Sequence, residues 1–227
     1  EITYGDWSSD VCSSDLNCWM LSFENKAKDE GFEIIIGIDE AGRGPLAGPV
    51  VASAVLLHTL SFACVIRDSK KMSALQRTKA YDEILQKAYV GVGLSDEKRI
   101  DQDNILQATF HAMTQAVLDL CTKIPQGDIR SPGLTPKVCL LVDGNLFKTA
   151  LPFTYKTIIG GDAVSLSIAC ASIIAKVTRD KIMDQYDRRY PQYGFAQHKG
   201  YPTLAHKQSI KTFGLSPIHR KTFKYGV

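Results

Sequence analysis

The sequence has no cysteine pair at C-x-x-C spacing: Cys12, Cys18, Cys64, Cys121, Cys139 and Cys170 stand scattered. That argues against a zinc ribbon and a disulfide scaffold, and a reducing, cytoplasmic setting is expected. No apolar run suits a membrane. The uncharged apolar stretch at residues 163–175 has 13 residues, where a spanning helix needs about 20. No basic segment followed by an apolar one opens the chain, so no signal sequence is expected. The motifs G-x-x-x-x-G-K-[ST], G-x-S-x-G and H-E-x-x-H are all missing, and with them the marks of P-loop nucleotide hydrolysis, serine hydrolysis and zinc proteolysis. There is no internal repeat and no low-complexity linker. What is present is a chain of 227 residues, 44% hydrophobic and 22% charged, which can bury a core as one large domain or two small ones.

Charge is unevenly spread. Residues 1–16 hold Glu1, Asp6, Asp10 and Asp15 without a Lys or Arg, and leaving them out takes the formal net charge from +3 to +7. The stretch DWSSDVCSSDL has neither helical nor strand periodicity and reads like the in-frame translation of a sequencing-adapter oligonucleotide. Residues 1–16 are therefore expected to be a non-native or disordered tail. At the other end, residues 181–227 carry nine Lys or Arg against Asp184 and Asp187, interleaved with eight Tyr or Phe. Charge alone describes a solvated basic face. Charge with stacking rings also suits a phosphodiester partner.

Periodicity outlines the elements. Strands are predicted at residues 33–39 (EIIIGID), 49–57 (PVVASAVLL), 62–67, 89–94, 137–142 and 155–159, the second close enough to the first to pair antiparallel. Helices are predicted from an N-cap at Ser73 through residue 88, and at 103–123, 162–190 and about 203–212, with a loop at 125–136. Early strands followed by strands alternating with helices imply an α/β class, a mixed sheet covered by helices.

Acids recur at the ends of apolar elements. Asp39 and Glu40 follow IIIGI, Asp143 follows VCLLV, and Asp162 follows TIIGG. Any one strand-end Asp is an ordinary turn residue or helix cap. Four at one edge of a sheet would raise one another's energy, and a divalent cation would relieve it. Oxygen ligands without His or Cys suit Mg²⁺ or Mn²⁺. The turn Gly42-Arg43-Gly44-Pro45-Leu46-Ala47-Gly48 is not G-x-G-x-x-G, and a strand rather than a helix follows it. It is either a plain tight turn or a loop whose bare backbone approaches a nucleotide closely enough to read a 2′-hydroxyl.

Residues 39–50 (DEAGRGPLAGPV) resemble the signature of bacterial ribonuclease HII, a type 2 ribonuclease H. Four further segments follow in the family's order: DSKKMS at 68–73, VDGN at 142–145, SIACASIIAKVTRD at 167–180 and YPQYGFAQHKGYPT at 190–203. The match runs over roughly residues 34–223. The resemblance implies an RNase H-like fold, with a mixed five-stranded sheet flanked by helices and a basic helical and loop C-terminal extension. It implies a two-metal endonuclease using Mn²⁺ or Mg²⁺ on RNA–DNA hybrids and on DNA containing ribonucleotides, with no membrane, as a cytoplasmic monomer. Asp39, Glu40, Asp143 and Asp162 fall on the family's catalytic, metal-binding carboxylates. Gly42, Arg43 and Gly44 fall on the motif that senses the 2′-hydroxyl at an RNA–DNA junction. Tyr201 falls on the tyrosine that stacks under the next deoxyribose, and Lys70 on a basic position expected to meet backbone phosphate. The sister enzyme, ribonuclease HIII, usually has Lys where Arg43 stands, and the residues before Asp39 are too few for its extra N-terminal domain. Gly160 and Val164 depart from the family, which often has Lys and a basic or small polar residue there, so weaker local phosphate binding is expected. Cys170 replaces the usual Ala and is expected in the core.

The implied organisation is a tail at 1–16, a lead-in at 17–32, a catalytic domain at 33–190 and the extension at 191–227 packed on it. His198, His206 and His219 have no metal-motif spacing and are expected at the surface or facing phosphate. Ser167 and Ser172 are expected to pack against the preceding helical turn, and Arg179 to pair with Asp180. Two rival readings remain at this level: a junction-resolving nuclease of similar fold, and a non-catalytic nucleic-acid-binding protein. Because residues 1–16 offer no apolar face, deleting them should leave Tm and activity unchanged. A large fall in Tm by thermal denaturation would show that the segment docks on the core.

Overall fold

A computed structural model describes residues 20–125 and 137–226. Five strands form one sheet: β1 (Ile34–Ala41), β2 (Val50–Leu57), β3 (Ala88–Ser95), β4 (Val138–Asp143) and β5 (Thr154–Ile158), in the order β3-β2-β1-β4-β5. β1–β2 and β2–β3 are antiparallel, while β1–β4 and β4–β5 are parallel. The expected mixed five-stranded sheet is what the chain builds. The β-branched run IIIGI of β1 is buried on both sides, as a central strand covered on both faces requires.

Seven helices accompany the sheet among the described residues: α1 (Ser22–Asp29), α2 (Ala74–Lys87), α3 (Glu97–Asp103), α4 (Ile105–Lys123), α5 (Leu166–Arg189), α6 (Phe195–His198) and α7 (Leu204–Phe213). Strand alternation sorts the core. Ile34, Ile36 and Ile38 face α4, packing with Phe110, Met113 and Leu120. Ile35 faces α5 and Ile168. By the same period of two, Asp39 falls on the α5 side and Glu40 on the other. α5 lies so close to β1 that a Cβ built on Gly37 would sit 2.1 Å from the backbone carbon of Ser167. The described residues contain no helix long and apolar enough to cross a membrane.

Three predicted elements differ. Residues 62–67 form no strand. Their backbone is held instead by the Glu83 carboxylate, which accepts from the N–H groups of Ala63 (2.6 Å) and Cys64 (3.1 Å). The helix predicted at 103–123 breaks at Asn104, where φ is +70° and the side chain caps α4. The helix predicted from 162 starts at Leu166 behind the N-cap Ser165, leaving Asp162 on a separate 3-10 turn (Gly161–Ala163). Most of the predicted loop at 125–136 lies outside the described residues. Cys170 is buried in the core, as expected.

Gly37→Ala should destabilise the fold by about 1–3 kcal/mol, the usual cost of overpacking. A Tm fall of about 2–4 °C per kcal/mol is expected in a chain of this size. An unchanged Tm would show that α5 can retreat from β1 at no cost.

Candidate active site

β1 and β4 run parallel in register, with Ile38 opposite Val142, so their C-terminal ends leave the sheet together. The residues that follow are Asp39, Glu40 and Asp143. β5 delivers the fourth acid: after Ile158 the chain turns through Gly160 (φ +66°) into the 3-10 turn of Asp162. The Gly161 N–H donates to Asp143 Oδ1 at 2.7 Å and holds that turn against β4. The four acids are thus brought to one edge of the sheet, and Asp39 and Asp162 are only 4% and 6% exposed.

Crowding and burial shape their chemistry. The Asp39 carboxyl is pushed well above the usual range by burial and by the charges of Glu40 and Asp143, against the opposing hydrogen bonds of the Ser172 hydroxyl and the Glu40 N–H. Burial also raises Glu40, with Arg43 opposing and Asp143 adding to the rise. Burial and Asp162 raise Asp143. One cation already stands among them. Lys70 Nζ lies 3.3 Å from Asp162 Oδ2. Partial burial would lower the pKa of this ammonium, but Asp162 and Asp39 outweigh it and raise it.

An all-oxygen set of repelling carboxylates, with an ammonium drawn in beside it, fits a hard divalent cation by donor chemistry. Asp39, Glu40, Asp143 and Asp162 are the residues that could hold one. Among the described residues no three His, Cys, Asp or Glu side chains stand, as placed, close enough together to hold a metal ion.

The glycine turn lies beside these acids. Arg43 Nη1 donates to Glu40 Oε1 at 3.3 Å. Gly42 has φ +101°, and a Cβ there would meet Arg179 Nε at 2.1 Å and Pro49 O at 2.7 Å. Only glycine fits that backbone. Tyr201 is 43% exposed, and its ring lies 3.7 Å from where a Cβ on Gly44 would be. The turn and the tyrosine therefore form one surface next to the carboxylates.

Two arginines that sequence reasoning did not place in the site are buried beneath it. Arg179 donates to the carbonyls of Pro49 (3.0 Å), Lys199 (2.9 Å) and Ala47 (3.2 Å). The expected Arg179–Asp180 pair does not form, since Asp180 accepts from Lys176 at 2.8 Å. The signal was in the helix period: Ala171, Ala175, Arg179 and Met183 recur every four residues, and all are buried. Arg220 binds the carbonyls of Gly42, Arg43 and Gly48. The serines also depart from expectation. Ser167 Oγ donates to Glu24 Oε1, and Ser172 bonds Ser69 and reaches Asp39. The three histidines are buried rather than phosphate-facing, and burial pushes His206 and His219 down to about 4. They are spread over 22 positions, on α6, on α7 and in the segment after it, and only tertiary packing brings them together.

The family model of ribonuclease HII matches residues 36–225. This chain belongs to the ribonuclease HII family. The ribonuclease HII of Ruminiclostridium cellulolyticum is 51% identical over 209 residues, covering 90% of this chain and 75% of that one. The solved ribonuclease H2 of Pyrococcus horikoshii superposes with a TM-score of 0.62 at 25% identity, over 85% of this chain and 94% of that one. A structure of Bst ribonuclease HIII in complex with Mn²⁺ gives 0.64 at 17% identity, over 88% and 70%, a likeness of fold. The ribonuclease HII fold in this chain thus has its carboxylates, glycine turn and Tyr201 at one edge.

Raised pKa values fix the sign of a test. A carboxyl whose pKa is higher folded than unfolded costs stability above its folded pKa, and the cost fades on acidification toward the ordinary value near 4. Asp143→Asn should therefore raise the Tm of cation-free protein at neutral pH, with a gain that shrinks toward pH of about 4. The same variant should lower kcat by ~10²-fold or more, as loss of one preorganised charge does elsewhere. Thermal melts across pH and single-turnover cleavage check both, and near-normal turnover would remove Asp143 from the chemistry.

Proposed function

We propose that this chain is a divalent-metal-dependent endoribonuclease. It cleaves the RNA strand of RNA–DNA hybrids and incises 5′ of a single ribonucleotide in duplex DNA, leaving a 3′-hydroxyl and a 5′-phosphate. The observation that carries the reading is the juxtaposition of four crowded carboxylates with a glycine turn and an exposed tyrosine ring that lie beside each other. A junction-resolving nuclease or a non-catalytic binder has no use for that pair.

Mn²⁺ or Mg²⁺, held by Asp39, Glu40, Asp143 and Asp162, would supply Lewis-acid activation of water and stabilisation of the leaving oxygen. The chain's own groups do the rest. The bare backbone of Gly42, Arg43 and Gly44 lets a ribose approach closely enough for its 2′-hydroxyl to meet main-chain groups. Lys70, with its side chain 76% exposed, reaches from the acids toward solvent, where it can meet a backbone phosphate. The Tyr201 ring packs where the next sugar has no 2′-hydroxyl. The basic residues of 181–227 draw in the phosphodiester backbone. Gly160 stands where the family often has Lys, and Val164 where it often has a basic or small polar residue, which weakens phosphate binding at that rim. Every group that the reaction needs comes from one chain, which suits a monomer. Cys64, Cys139 and Cys170 form no disulfide, which suits the cytoplasm.

The carboxylates serve any phosphate brought to them, so choice of the junction must come from groups that see the sugars on either side. Ring stacking of this kind is worth ~1–3 kcal/mol per contact, or roughly tenfold to a hundredfold at 1.4 kcal/mol per decade. Tyr201→Ala should lose that much kcat/KM on a duplex with one ribonucleotide, lose less on an all-RNA hybrid, and keep its metal dependence. Equal losses on both substrates would remove the junction role from Tyr201, and a wild-type protein that cuts neither would overturn the function.

A further inference from the structure

Arg220 is completely buried, and its guanidinium is spent on backbone. Nε and Nη2 donate to the Gly48 carbonyl at 3.0 and 2.8 Å, Nη2 to Gly42 at 2.6 Å and Nη1 to Arg43 at 3.0 Å. Burying a guanidinium against carbonyls has a real desolvation cost, and burial, with Arg179 adding, draws its pKa down to about 9. What the arrangement gains is geometry: one rigid fork holds three carbonyls of the glycine-rich turn. The backbone supports the same grip. Gly48 N–H donates to Ile218 O at 2.8 Å, and Arg220 N–H to Leu46 O at 2.9 Å.

The residue next to Arg220 reaches the other half of the surface. Backbone Ser216 N–H donates to His219 Nδ1 at 2.8 Å, so that nitrogen is the acceptor and Nε2 carries the proton. His219 Nε2 lies 3.0 Å from His206 Nε2, and His206 Nδ1 lies 2.9 Å from the Tyr201 carbonyl. A carbonyl only accepts, so His206 donates through Nδ1 and accepts from His219 through Nε2. The tautomers are consistent along the whole relay, and both imidazoles are neutral at physiological pH. The His206 ring is further fixed by stacking on His198 at 4.3 Å and by the edge of Phe195 at 5.5 Å.

We propose that residues 216–220 are a positioning element, in which Arg220 sets the Gly42–Arg43–Gly44 backbone, His219 through His206 sets Tyr201, and their common frame determines the preference for a single embedded ribonucleotide. The inference rests on the reading of the turn and Tyr201 as sugar-sensing groups. None of these three residues touches substrate; each acts through the group it holds. An embedded ribonucleotide needs the turn and the ring in register across one phosphate, whereas an all-RNA strand offers a 2′-hydroxyl at every step and tolerates a looser frame. Small misplacements of this kind are costly in rate.

The test uses two variants and two substrates. Arg220→Lys keeps the charge but cannot span three carbonyls from one ammonium. His206→Phe keeps a ring against Phe195 and His198 but ends the relay. Both are measured by thermal melt and by kcat/KM with Mg²⁺ at one salt concentration. The substrates are a DNA duplex with one ribonucleotide and an all-RNA hybrid. Each folded variant should lose about tenfold on the first substrate and less than about threefold on the second, with metal dependence unchanged. Equal losses on the two substrates, or none on either, would overturn the positioning role while leaving the proposed function intact. If Arg220→Lys does not fold, His206→Phe decides alone by the same criterion. A wild-type protein that cuts neither substrate would overturn the underlying reading and this inference with it.

Discussion

The structure depends on one unfavourable interaction: four carboxylates held together at the end of a buried sheet. Parallel pairing of β1 and β4 forces Asp39, Glu40 and Asp143 to emerge side by side. The hydrogen bond from Gly161 to Asp143 brings Asp162 to them. Hydrophobic burial of the strands is the dominant favourable contribution, and it holds Asp39 and Asp162 almost wholly out of solvent. The repulsion is softened by the Ser172 hydroxyl, by Arg43 and by the Lys70 ammonium, yet Asp39, Glu40 and Asp143 all stay raised. A site so poised gains most from a cation that carries more charge than one lysine.

The neighbouring surface is built on the opposite principle. Arg179 and Arg220 are buried cations satisfied by backbone carbonyls, and the carbonyls they bind belong to the glycine turn and the segments flanking it. Glycine gives the turn its close approach but little rigidity of its own. The rigidity comes from the arginines and from the 216–220 segment. Negative charge is concentrated in the carboxylate cluster, and positive charge lies beneath the glycine-rich backbone beside it.

Much of this was legible in the chain. The apolar runs at residues 34–38 and 138–142 mark central strands because they are buried on both faces, and the acids after them mark the edge. The 3.6-residue period located α2, α4, α5 and α7 to within a few residues. What was not legible depended on partners distant in sequence. Residues 62–67 look like a strand, but a glutamate twenty positions away takes their N–H groups. The break at Asn104 needs a positive φ that no pattern announces. Arg220 and His219 lie outside the helices and strands, and His198 and His206 sit on short helices, where charge and polarity read as solvent exposure. Their burial depends on the C-terminal segment packing on the turn.

Thermal unfolding with and without Mn²⁺, in wild type and in Asp39→Asn, tests most directly whether cation binding relieves the carboxylate repulsion. A cation that binds only the folded state adds about 2.7 kcal/mol at a hundred times its Kd, and each kcal/mol moves the Tm of a chain this size by about 2–4 °C. The wild-type Tm should rise by several degrees with Mn²⁺, monovalent salt of equal ionic strength should not reproduce the rise, and Asp39→Asn should lose most of it. A wild-type Tm indifferent to Mn²⁺, or an undiminished rise in the variant, would contradict the account.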